Sequence, residues 1–116
     1  MVEESCLFCR IALGSIPARL AHEDDHTLAF HDIDPRAPVH VLIIPRRHIS
    51  AVNQLSEGDT EIMGRLFQVA RALARELGVA DSGYRMVVNS GADAGQSVDH
   101  IHMHLLGGRP FKWPPG

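Results

Sequence analysis

Three histidines, His100, His102 and His104, alternate with Ile101, Met103 and Leu105 in one six-residue run. Side chains of an extended chain point to opposite faces in turn. The spacing therefore predicts a strand with three imidazoles on one surface and three apolar side chains in the core. Imidazole can serve as ligand, base, acid or nucleophile near neutral pH. Three protonated rings on one face repel each other, so some stay neutral, the form that attacks phosphorus or binds a metal ion. Cys6 and Cys9 form a C-x-x-C pair. In a reducing compartment such a pair suggests metal or redox chemistry, or two reduced thiols packed as small hydrophobes. The loop from Gly91 to Ser97 lacks the lysine of a P-loop and opens no helix. Its glycines still allow close approach of backbone to an anion, and Ser97 offers a hydroxyl three residues before His100. It reads as a flexible connector or an anion cradle. His22 and His26 read as locally satisfied, and Asp24-Asp25 as a solvated turn.

The elements that must carry these residues follow from pattern. Cys6 to Leu13 predicts a short helix ended by Gly14. Leu20 to Glu23 and Thr27 to His31 predict a hairpin around Asp24-Asp25. His40 to Ile44 is β-branched-rich, stops at Pro45, and reads as a central buried strand, with His48 following Arg46-Arg47. Ser56 is the expected N-cap of one long amphipathic helix whose apolar positions are Ile62, Leu66, Phe67, Ala70, Leu73 and Leu77. Tyr84 to Asn89 is a further strand. Hairpins around one long helix indicate an α+β class with a mainly antiparallel sheet.

A chain of 116 residues with 45% hydrophobic residues is expected to form a single domain, 1–116, with a core of its own. The formal net charge of −3 argues against binding nucleic acid through a broad positive field, which favours a small partner. No apolar run approaches membrane-spanning length, and the start Met1-Val2-Glu3-Glu4 does not resemble a secretory signal. A cytoplasmic protein is expected.

Read together, the segment Gly95-Gln96-Ser97-Val98-Asp99-His100-Ile101-His102-Met103-His104-Leu105-Leu106 resembles the signature of the histidine triad (HIT) superfamily. The resemblance continues through Ala29–Ile33, Ile44–Ser50, Tyr84–Asn89 and the closing Trp113-Pro114-Pro115-Gly116, covering almost the whole chain. The ending is similar to the Hint branch, the histidine triad nucleotide-binding proteins. The resemblance implies a five-stranded antiparallel sheet with one long and one short helix, and a homodimer whose sheets join into ten strands. It implies hydrolysis of purine nucleoside 5′-phosphoramidates through a covalent nucleotidyl-histidine, releasing an amine and an AMP-like mononucleotide. On this basis His102 is the nucleophile, and its lone pair must be uncharged and open to the incoming phosphorus. His104 and His40 bind phosphate oxygens and assist proton transfer. Gly95, Gln96 and Ser97 hold phosphate with His102 and His104, and Asn89 adds a polar contact. Asp32 accepts from the ribose hydroxyls, while Leu7, Phe8, Phe30, His31 and Ile33 line the base pocket. No catalytic metal is required.

Cys6 and Cys9 with His48 and His100 would complete a tetrahedral structural zinc site, similar to several bacterial-type relatives and unlike the animal Hint proteins, which generally lack the cysteine pair. Asp99 stands where those animal proteins tend to carry an aromatic residue, and either raises neighbouring histidine pKa values or turns to solvent. In the nucleotidyltransferase branch a glutamine replaces the third histidine, so His104 implies water as acceptor. Trp113 either reaches across a dimer interface toward the partner's site or anchors a mobile tail. The rival readings are a dinucleoside polyphosphate hydrolase, a zinc hydrolase whose triad holds a catalytic metal, and a nucleotide-binding regulatory protein with incidental hydrolysis.

Overall fold

A computed structural model describes Glu3 and residues 5–116. Two helices and five strands run in the order α1 (Leu7–Ala12), β1 (Leu20–Glu23), β2 (Thr27–His31), β3 (Val39–Pro45), α2 (Thr60–Glu76), β4 (Tyr84–Val87) and β5 (Met103–Gly107). The strands form one antiparallel sheet in the order β1-β2-β3-β5-β4. β3 is thus central, as the apolar run Val41–Ile44 within it requires.

Alternation along β3 divides the core into two layers. Val41 and Ile43 point to one face with Ala29, Met103 and Leu105, and α2 covers them with Leu66, Val69, Ala70 and Leu73. Each of the two buried leucines contributes about 1.5–3 kcal/mol by leaving water. Leu42 and Ile44 point to the other face with Leu28 and Phe30, where α1 covers them with Cys6, Phe8 and Cys9. His40 shares this second face by its spacing from Leu42, and His104 joins it because it pairs directly with Leu42. The α1 side of the sheet is therefore where the chemistry-bearing residues gather. Among the described residues no helix is long and apolar enough to cross a membrane.

Several elements depart from the pattern reading. Ser56 does not cap the long helix; it opens a 3-10 turn, Glu57–Asp59, in which Asp59 Oδ2 accepts the Ser56 N–H at 2.8 Å and its hydroxyl at 3.1 Å. Asp59 also pairs with Arg47. Phe67 is 52% exposed, while Val69 is buried in its place. The buried stripe is Leu66, Val69, Ala70, Leu73 and Ala74, and Phe67 lies one residue, about 100°, to its side. The histidine strand begins only at Met103. The His100 N–H donates to Val98 O at 2.9 Å and that of Ile101 to Ile49 O at 2.6 Å. Residues 98–101 therefore bend under the end of β3 instead of extending its ladder.

Candidate functional site

His100 stays on the α1 side of the sheet with His102, the Phe8 ring meeting both, but the bend turns it onto the cysteines of α1. It is fully buried, and its Nδ1 lies 3.3 Å from Cys6 Sγ and 3.4 Å from Cys9 Sγ. Cys6 sits at the N-cap of α1, where its sulfur also accepts the Cys9 N–H at 3.3 Å, so one turn of helix holds both thiols on one side. His48, just beyond β3, places Nδ1 3.4 Å from Cys9 Sγ. The four donor atoms all lie within 4.8 Å of one another. A tetrahedral ion about 2.3 Å from sulfur and about 2.0–2.1 Å from nitrogen sets an S···N spacing of about 3.5 Å, close to the distances found.

Hydrogen bonds on the far side of each ring point the same way. His100 Nε2 faces the carbonyl of Pro45 at 2.8 Å and can only donate to it, which leaves the Nδ1 lone pair facing the sulfurs. His48 Nε2 lies 3.5 Å from the Glu3 carboxylate, which likewise favours a lone pair at Nδ1. A ligating histidine whose second nitrogen is held by a carbonyl or carboxylate is the usual outer shell of a metal site. Burial, opposed by the Pro45 bond and aided by His48 and His102, lowers His100 to about 4. Burial raises the Cys9 thiol.

His102 is only 3% exposed, a correction to the open histidine face expected from alternation. The cause is Phe8, whose ring meets it edge-on with centroids 5.1 Å apart. Its Nδ1 lies 2.8 Å from the carbonyl of His100, an acceptor only, so Nδ1 carries a proton and the lone pair of the neutral ring is on Nε2. Among the described residues no buried side-chain nitrogen or oxygen lacks a hydrogen bond, and Nε2 has no such partner. The little surface His102 presents therefore includes Nε2. Beside it stands His104, with ring centroids 5.1 Å apart. His104 is lowered to about 4 by burial and by the fields of His102 and His40, with Asp32 opposing.

His104 Nδ1 lies 2.9 Å from His40 Nε2, which in turn lies 3.4 Å from Asp32 Oδ2. His40 is buried, and burial lowers its pKa against the raising effect of Asp32. Asp32 Oδ1 accepts the Asp34 N–H at 2.8 Å, which fixes the carboxylate at the exit of β2.

A cleft of about 500 Å³ opens along this face, lined by Leu7, Phe8, Phe30, His31, Asp32 and Ile33, with Ser97 at its rim. Ile33 is fully exposed. Pattern did not single out Ile11, Ile16, Pro17, Ala18, Arg19, Leu42 and Val98, which share the lining. Burial and then Arg19 lower His31, keeping it neutral in this wall. In the loop, Gly95 adopts φ +81° and donates its N–H to Ala92 O at 3.0 Å. Gln96 uses its backbone N–H on Gly91 O and both side-chain N–H groups on Ser50 O and Val98 O, at 2.7 and 3.0 Å. Gly95 and Gln96 therefore shape the loop instead of offering free donors to phosphate. Ser97 is the exposed hydroxyl they present. Asn89 follows β4, whose Val87 pairs with His104, so the register carries it toward His102. Asp99 is exposed, and Trp113 is 83% exposed.

With this geometry in view, comparison with known proteins places the chain. Residues 14–111 match the HIT domain family, and the protein belongs to it. An uncharacterised HIT-like protein of Synechocystis sp. is 45% identical over 113 residues, 97% of this chain and 98% of its own. A HIT family hydrolase from Legionella pneumophila superposes with a TM-score of 0.94 at 50% identity, covering 96% of this chain and 99% of that one. A histidine triad nucleotide-binding protein from Candida albicans gives 0.80 at 33% identity, covering 94% and 82%.

Proposed function

We propose that the protein is a nucleotide hydrolase of the Hint branch that cleaves purine nucleoside 5′-phosphoramidates through a nucleotidyl-His102 intermediate. The observation that carries this reading is the bond from His102 Nδ1 to the His100 carbonyl, which in the neutral ring puts the lone pair of the nucleophile on Nε2. His102 Nε2 attacks the α-phosphorus as the P–N bond breaks, and the amine leaves with one proton taken up from solvent while His104, backed by His40, bonds the phosphoryl oxygens. Water then attacks the phosphorus of the phosphohistidine, the N–P bond breaks, and one proton returns to the site or solvent. The two steps balance: one water is consumed, and amine and nucleoside monophosphate are released. Purine and ribose occupy the cleft of Leu7, Phe8, Phe30, His31, Ile33 and Asp32, and phosphate lies between Ser97 and the triad, with Asn89 beside it.

The donor set of Cys6, Cys9, His48 and His100 suits zinc in a structural role. Bound there, zinc would complete a closed four-ligand shell joining α1 to the segments after β3 and before β5. The terminal strands β1 and β4 each leave an edge, and the resemblance to Hint proteins supports a homodimer in which two sheets join. Incubation with an adenosine phosphoramidate, acid-free quenching and mass spectrometry should reveal adenylyl on His102, and His102→Ala should abolish it. Turnover persisting in that variant would remove His102 from the mechanism. Faster turnover of a dinucleoside polyphosphate would move the protein to the rival branch.

A further inference from the structure

The Asp32–His40–His104 cluster has the composition of a metal site, and its donor atoms also lie within 4.8 Å of one another. One backbone group decides otherwise. The Arg36 N–H donates to His40 Nδ1 at 3.0 Å. An amide nitrogen can only donate, so Nδ1 holds a lone pair and the ring proton of neutral His40 sits on Nε2. From there it points at His104 Nδ1, 2.9 Å away, and at the Asp32 carboxylate, both acceptors. The reverse direction, His104 Nδ1–H donating to His40 Nε2, would leave His40 with two accepting nitrogens and no proton. Only one assignment of two neutral rings remains: His40 as Nε2–H, and His104 with its lone pair at Nδ1 and its proton on Nε2. The lone pair a metal would need on His40 is occupied by that proton.

The Arg36 backbone is itself held in place from its carbonyl side. Arg109, just past β5, donates Nε–H to the Arg36 carbonyl at 3.0 Å, and its guanidinium lies 4.3 Å over the Phe111 ring. The turn that brings Arg109 there needs Gly108, whose φ is +91° and where an added Cβ would come 2.9 Å from Pro38 Cβ. Arg36 further pairs with Asp34 at 2.9 Å, and Asp34 with Asp32 through its N–H.

We propose that the Arg36 amide, clamped by Arg109, is a positioning group that locks His40 and, through it, His104 as Nε2–H tautomers, so that His104 offers an N–H rather than a lone pair to the reacting phosphoryl group. Arg109 bonds the peptide that follows Arg36 and the N–H belongs to the one before it, so Arg109 acts only by fixing the Arg36 backbone between them. The inference rests on the phosphoramidate reading for its kinetic consequence but not for its tautomer assignment, which concerns the resting protein.

The test is two-bond ¹H–¹⁵N NMR of the full chain with labelled histidine at pH 7.5, where tautomers give distinct patterns. His40 and His104 should both appear as Nε2–H. Arg36→Ala keeps the amide and should keep this pattern, whereas Arg36→Pro removes the N–H and should give mixed tautomers at His40. Arg109→Ala should shift the pattern in the same direction, and Arg109→Lys, which can still donate to the carbonyl, should restore it. In the kinetic arm, Arg36→Pro should lower kcat for an adenosine phosphoramidate by about 10-fold or more, with KM changed less than kcat. A wild-type His40 in the Nδ1–H form overturns the proposal even if no proline variant folds, and so does an unchanged pattern in a folded Arg36→Pro. Failure to hydrolyse any phosphoramidate with the tautomers as assigned would overturn the reaction while leaving the lock intact.

Discussion

Acidification should destabilise the protein through His104, and replacing that ring with the non-titrating amide of glutamine should remove the loss. His104 is part-buried, and burial followed by His102 and His40 lowers it from 6.5 to about 4 against the pull of Asp32. A native value below the unfolded one means that the unfolded chain binds a proton the native state refuses. Stability is therefore intact above about 6.5 and falls as pH drops toward about 4, where the native ring also protonates. At about 1.4 kcal/mol for each pH unit in that window the ceiling is about 3 kcal/mol, and partial solvent access reduces it to about 1–2 kcal/mol. Urea unfolding followed by far-UV circular dichroism, from pH 7.5 to 4.5 at fixed protein concentration, measures it; fixing the concentration removes any effect of association. The free energy of His104→Gln should decline about 1–2 kcal/mol less than wild type across the window. Carboxylates titrate in both proteins and cancel in the difference. Parallel curves would show that the ring gains its proton equally in both states, and the burial argument would fail.

Cys9→Ser should strip most of the zinc measured by atomic absorption in purified wild type, and an unaltered zinc content would remove Cys9 from the site. Chelation of wild type should lower its urea midpoint and raise KM for the phosphoramidate more than it lowers kcat; abolished kcat would instead indicate a catalytic metal. Gly107→Ala should cost about 1–3 kcal/mol in urea unfolding, because the new Cβ would stand 2.9 Å from Val79 Cβ and Cγ1. Adding Val79→Ala should make the pair less than additive, and strict additivity would refute the clash. Ile33→Ser should change stability by less than about 0.5 kcal/mol, since the side chain is fully exposed. It should nevertheless weaken AMP binding about 5-fold by calorimetry if Ile33 packs on the purine, about 1 kcal/mol of apolar burial; equal affinity would remove Ile33 from the pocket.

What could be read from sequence was what side-chain type encodes. The hairpin Leu20–His31 follows from the turn residues at its centre and the central strand from its β-branched run, and the observed spans agree closely. Cys6, Cys9, His48 and His100 could be grouped because the family resemblance left His48 and His100 as the best remaining donors, and the structure brings the four donor atoms within 4.8 Å of one another. What could not be read was carried by backbone groups. The Pro45 and His100 carbonyls and the Arg36 amide set the protonated nitrogen on three rings, yet any residue at 45 or 100, and any but proline at 36, could supply the same group. Strict alternation also could not show that the chain bends at 98–101, because a bend with buried side chains has the same polarity pattern as a strand. His100 keeps the α1 side it shares with His102 and His104 but turns there to the cysteines. Gln96 shows the opposite case, a polar side chain in a candidate phosphate loop that is taken up by bracing the loop itself.

The two clusters are not independent, because one short helix serves both. A six-residue helix cannot hold its own shape in water, so α1 depends on what its side chains touch. Cys6 and Cys9 face His48 and His100, while Phe8 between them packs edge-on against Phe30 at 5.4 Å and His102 at 5.1 Å and lines the cleft. An ion held by the thiols would fix the backbone on both sides of Phe8, and with it one wall of the nucleotide cleft. Losing the ion would free that wall without changing the tautomer of His102, which the His100 carbonyl sets. Ground-state binding should then suffer before the chemical step, which is why chelation is expected to appear in KM first.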